Sequence, residues 1–143
     1  MTTEEKLKYL EFIQGIITRM NTCSFQIKGT ALVIVSAILA IYGQDPGKTE
    51  LIWVCVLPVI VLWVLDAYYL TQERSFRKLY NEAAGIITPP KGLSELKPFE
   101  INPDRYGSCC FCYILRTFFS MTTLPYYGII LIVLCLIYKI SGK

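Results

Sequence analysis

The chain contains no histidine, which removes the His-based catalytic triads and the common zinc sites, both of which need an imidazole as base or ligand. Glycine-rich loops of the P-loop or dinucleotide type are missing too, so neither familiar backbone cradle for a nucleotide phosphate is present. Cysteine is available but not arranged as a metal site. Cys109, Cys110 and Cys112 crowd together without a well-placed fourth ligand, while Cys23, Cys55 and Cys135 are scattered. They read better as small apolar membrane residues. Internal repeats and low-complexity tracts are absent from the pattern. The residues therefore predict a protein that is not an enzyme, with no catalytic residue, no metal and no cofactor.

What the chain has instead is apolar sequence gathered into blocks. Hydrophobic residues make up 54% of the 143 positions and charged residues only 17%, and the mean hydropathy of +0.47 is too high for a soluble domain of this size. Residues 29–43, 51–70 and 124–140 are the long apolar runs. Extending the first back to Ser24 gives it about 20 residues, the length needed to cross a hydrocarbon core of about 30 Å. The start of the chain, MTTEEKLKYL, is not a basic leader, and no small-residue cleavage site follows. The expectation is that the first span is retained.

Basic residues are distributed unevenly. Lys6, Lys8, Arg19 and Lys28 precede the first span, and Arg74, Arg77, Lys78, Lys91, Lys97, Arg105 and Arg116 separate the second from the third. The segment between the first two spans, QDPGKTE, holds one lysine. By the positive-inside rule the N-terminus and residues 72–123 are cytoplasmic, and residue 47 is outside. Three spans place the C-terminus outside. Lys139 and Lys143 prefer the opposite side, and a re-entrant passage by residues 109–122 would satisfy them.

The predicted fold class is an all-α membrane protein with three transmembrane helices, a two-helix hairpin plus a C-terminal span. It divides into four parts. Residues 1–23 form an N-terminal amphipathic helix at the interface or against a neighbour, with Thr2 and Glu5 as a capping box and an apolar face of Leu7, Leu10, Ile13, Ile17 and Met20. Residues 24–71 are the hairpin, with spans at 24–43 and 51–70. Residues 72–107 begin as a cytoplasmic extension of the second helix, with a Glu73–Arg77 pair at i, i+4, and continue after Gly85 as a Pro/Gly-rich connector. Residues 108–143 are an interfacial segment followed by the third span, 124–140.

Four features stand out as candidate sites. Asp66 lies before the second apolar run ends, and Lys28 is about equally far from the hairpin turn along the first helix, so the two are matched for an intramembrane ion pair. The alternative places Asp66 at the water line or in a carboxylate ring at a pore mouth. Gly29, Ser36, Ala40 and Gly43 share one narrow helical face suited to close approach of another helix, either within the subunit or between subunits for oligomerisation. Pro58 predicts a kink in the second span. Arg74, Arg77 and Lys78, joined by Lys91, Lys97 and Arg105, form a strip for anionic lipid or another anionic ligand.

The runs FIQGIITRMNTCSFQIKGTALVIVSAILAIY, VLWVLDAYYLTQERSFRKLY and PYYGIILIVL resemble a group of small bacterial membrane proteins encoded in anti-phage defence islands. The two-span hairpin whose second helix continues into the cytoplasm also resembles the SLATT type of effector, from which the third span departs. The resemblance implies an oligomeric, multi-pass inner-membrane channel or pore. It further implies control by a nucleotide or oligonucleotide from a partner nucleotidyltransferase, with growth arrest on opening. A different class, a non-conducting anchor or scaffold that recruits a soluble partner, fits the same spans.

Overall fold

The computed structural model describes residues 3–44, 50–88, 100–102 and 111–141. Expectations for Thr2, residue 47, Lys91, Lys97, Arg105 and the side chains of the cysteine cluster lie outside the described residues. Among those described, the elements are four α-helices: α1 (Thr3–Gln44), α2 (Glu50–Ala84), α3 (Phe111–Phe118) and α4 (Leu124–Ser141).

Nothing between Thr3 and Gln44 stops a helix. No proline occurs there, and the buried positions Tyr9, Ile13, Ile17, Ser24, Ile27, Ala31 and Val35 keep one face along its whole length. The separate N-terminal helix 1–23 and the span 24–43 are therefore one continuous helix of 42 residues, about 63 Å long at 1.5 Å per residue. Its first half is also turned from the expected face. Leu7 is exposed and Tyr9 is buried, because this half packs on Phe76 and Leu79 of α2 rather than on a flat lipid surface.

α2 runs through Pro58, which has no N–H for the carbonyl four residues earlier. It ends where the sequence first offers a glycine. Gly85 has φ of 82°, and Ile86 N–H donates to the Asn81 carbonyl at 2.8 Å while Gly85 N–H donates to Glu82 at 3.0 Å. These two bonds make a Schellman cap, whose left-handed residue costs glycine nothing.

α1 and α2 are antiparallel. Early α1 meets late α2 in a cluster of Tyr9, Ile13, Ile17, Phe76 and Leu79. Late α1 meets early α2 in a second cluster, where Ala31 and Val35 pack with Ile52, Cys55 and Val59, and α4 joins through Tyr127, Ile130 and Leu134. α4 starts beside Lys28, whose carbonyl accepts from Tyr126 Oη at 2.8 Å, and reaches Trp53 through Tyr138. It therefore runs parallel to α1 over the same length of bundle. Thr123 joins α3 to α4, donating to the carbonyls of Thr117 and Phe118 at the end of α3, while its own carbonyl accepts the Tyr127 N–H.

The outside of the second cluster is apolar all round. Leu32, Val33, Ile41, Trp53, Leu57, Val61, Ile129, Ile132 and Leu136 are all more than half exposed. Only 17% and 28% of the apolar windows of α1 and α2 are buried in the subunit. A soluble monomer rarely leaves such an apolar belt in contact with water; lipid contact accounts for it.

The first cluster has no such belt and is held by a handful of side chains. Leu79→Ala, at a fully buried position, is expected to cost the α1–α2 pairing beyond the span about 2–5 kcal/mol. Hydrogen exchange should then accelerate at residues 5–20 and 72–84 while residues 30–40 stay protected. Equal acceleration at both ends would show that the two clusters unfold as one unit.

Candidate functional site

Between the two apolar clusters lies a polar layer. Asp66 is completely buried, and Lys28 Nζ stands 2.7 Å from its Oδ2 and 2.9 Å from its Oδ1. Ser24, one helical turn before Lys28, donates to Asp66 Oδ1 and accepts from Lys28 Nζ at 2.8 Å. Each member of this triad thus holds the other two. The geometry is that of an ion pair whose carboxylate is enclosed within the subunit rather than facing water. The Lys28 side chain keeps 22% exposure, so its stem crosses apolar surface while its head meets the carboxylate.

Three aromatic rings close the layer from the α4 side. Trp63 stacks on Phe118 of α3 with centroids 3.9 Å apart and on Tyr127 of α4 at 5.6 Å. The Tyr127 hydroxyl is buried near Asp66 and, like Trp63 Nε1, has no hydrogen-bond partner of good geometry among the described residues. Sequence reasoning missed Ser24, Tyr126, Tyr127 and Trp63. Ser24 was legible from its four-residue spacing to Lys28 on one helical face; the aromatics carried no sequence signal linking them to Asp66.

The small-residue face of α1 points away from the subunit. Gly29, Ser36, Ala40 and Gly43 are exposed, and a Cβ built at Gly29 or Gly43 meets nothing within 4 Å. At 100° per residue this face lies on the opposite side of α1 from Ala31 and Val35. It does not serve the packing of α1 on α2 or α4. Ser36 satisfies its hydroxyl by donating to the Leu32 carbonyl at 2.8 Å, as a hydroxyl in lipid must.

The cation strip is divided. Arg77 turns to one side, with Nη2 at 2.6 Å from Glu73 Oε1, and lines a groove with Gln14, Ile17, Tyr80 and Asn81. Arg74 turns to the other and donates to Ser120 Oγ at 2.8 Å and, more weakly, to Thr122 Oγ1 at 3.5 Å. There it joins Lys78 and Arg116 around a separate pocket. Among the described residues no group of His, Cys, Asp and Glu is placed to hold a metal ion.

An antiparallel pair of helices long and apolar enough to cross a membrane, closed around a buried ion pair and joined by a shorter apolar helix, makes this an all-α protein of membrane-protein character. Compared with protein-family models, curated proteins and solved structures, the chain matches none of them.

Proposed function

We propose that the chain is an oligomeric effector of the bacterial inner membrane that forms an ion channel or pore in anti-phage defence. In this reading α1, α2 and α4 are three crossings and the N-terminus is cytoplasmic. The 18 residues of α4 reach about 27 Å, close to the hydrocarbon thickness. The observation that carries the proposal is the outward face of Gly29, Ser36, Ala40 and Gly43. It is unused inside the subunit, lies within the apolar belt, and offers a second copy the close backbone approach that drives helix association in lipid.

Control by a nucleotide or oligonucleotide from a partner nucleotidyltransferase is supported by the groove between the extramembrane halves of α1 and α2. Tyr80 offers a ring for base stacking, Gln14 and Asn81 offer amides for base edges, and Arg77 retains donors for a phosphate beyond the one given to Glu73.

Ser36→Leu and Ala40→Leu test the assembly. Both positions are exposed, so the subunit should stay folded within about 0.5 kcal/mol. The oligomer seen by cross-linking in membranes should disappear, and with it the conductance of reconstituted vesicles. Leucine variants that still assemble and conduct would remove this face from the interface. Intact wild-type oligomers that pass no ions, with or without added nucleotides, would favour the non-conducting anchor.

A further inference from the structure

The pocket between α2 and α3 is built from cations and hydroxyls. Arg74, Lys78 and Arg116 converge on it together with Thr71, Ser75 and Thr117, enclosing about 270 Å³. No acidic side chain is among the described residues that line it. Glu73, the carboxylate next to Arg74 in sequence, is paired with Arg77 on another face of α2. Arg74 is aimed by neutral partners, the hydroxyls of Ser120 and Thr122, which leave its full charge for a ligand. Arg74 and Arg116, two like charges facing one pocket, repel, and a bound anion relieves the repulsion.

Depth and surroundings say what kind of anion. Taking Leu51–Leu70 as the part of α2 in hydrocarbon, Arg74 stands about 6 Å beyond its end, within the headgroup layer of a bilayer 40–45 Å thick overall. The neighbouring turn presents two uncovered apolar side chains, Phe119 65% and Met121 93% exposed. Phe119 packs on Phe118, which in turn stacks on Trp63 inside the span, so the turn is anchored at the edge of the acyl region. None of the described lining side chains is aromatic, so these residues offer a phosphate its donors but a nucleotide base no ring to stack on.

We propose that this pocket binds the phosphate of an anionic phospholipid, with Arg74 and Arg116 as its principal ligands and Phe119 and Met121 against the acyl chains. The site rests on the membrane placement of α1 and α2 and is separate from the Tyr80 groove. A lipid held here ties α3 to α2 and so sets the position of α4, which follows within the same corner. Arg116, which looks in the sequence like a fault in an apolar segment, is the residue that completes the site.

The test uses the full chain purified in detergent, stripped of lipid, and titrated with phosphatidic acid or phosphatidylcholine while bound lipid is counted by native mass spectrometry. Phosphatidic acid should bind in preference. The double change Arg74→Gln and Arg116→Gln should weaken its binding roughly 25-fold, taking about a factor of five for each arginine near the headgroups. Arg74→Lys with Arg116→Lys should keep part of the affinity by keeping the charge, and Lys8→Gln, far along α1, should leave it unchanged. Helical content and thermal unfolding of each variant show whether the fold is retained.

Equal binding of the two lipids, or full binding by the folded Gln variant, would overturn the proposal. So would displacement of phosphatidic acid by inorganic phosphate or glycerol phosphate at micromolar concentration, which would make the pocket a site for a soluble phosphate. Alkaline extraction of the chain from membranes is checked in parallel. Release into the soluble fraction would overturn the membrane placement itself, whereas a chain that stays inserted but shows no lipid preference fails on the pocket alone.

Discussion

Lys28→Met is expected to destabilise the folded subunit by about 3–5 kcal/mol, because it leaves a fully buried carboxylate without a counter-charge. Asp66→Asn should cost less. Lys28, with 22% of its side chain exposed, has a route to turn its ammonium to the interface once its partner is neutral, whereas Asp66 has no such route. The double change Lys28→Met with Asp66→Leu should recover most of the loss, since it removes both desolvation costs at once. Exchanging the charges, Lys28→Asp with Asp66→Lys, should recover only part, because the ammonium then sits at the enclosed position. Loss of helical signal with temperature, in one detergent for all variants, gives the order. Asp66→Asn proving worse than Lys28→Met would show that the stranded carboxylate does not dominate.

Trp63→Ala should detach the α3–α4 corner from α2. The indole stacks on Phe118 and on Tyr127, one ring from each of the two helices that the corner joins. Deleting a core tryptophan costs about 3–5 kcal/mol in soluble proteins. The lower end of that range is expected here, because Trp63 is only partly buried. Hydrogen exchange across residues 114–124 should rise sharply while the α1–α2 pairing of residues 9–17 with 76–79 is untouched. Trp63→Phe should restore most of the protection by keeping a ring in the stack. Unchanged protection in the alanine variant would mean that the Arg74–Ser120 contact, not the stack, holds the corner.

Much of this architecture is legible along the chain. The apolar runs mark α1, α2 and α4 because an apolar helix needs only local composition and length, and Gly85 marks the end of α2 because a left-handed cap needs only a glycine in the right place. Matching Lys28 to Asp66 required no more than counting residues from the turn at a fixed rise. The division at residue 23 is one of composition and not of the backbone. The sequence changes there from a charged half to an apolar half, but a change of side-chain polarity does not interrupt backbone hydrogen bonds, and α1 continues through it.

The faces were a matter of tertiary structure. Helical periodicity groups residues by angle but does not say which angle meets a neighbour, so Tyr9 rather than Leu7 is inside once Phe76 and Leu79 define the partner surface. In the same way Arg74, Arg77 and Lys78 form one strip in sequence but line two separate pockets, because α1 packs beside Arg77 and α3 beside Arg74 and Lys78. Composition and spacing determine which segments become helices, how long they are and which charges lie at one depth, since each of these is a sum over neighbouring residues. The closing of Tyr126 and Tyr127 over Lys28 and Asp66, the stacking of Phe118 on Trp63, and the joining of Arg116 to Arg74 depend instead on how separate helices rotate against one another, which is decided only when their side chains pack.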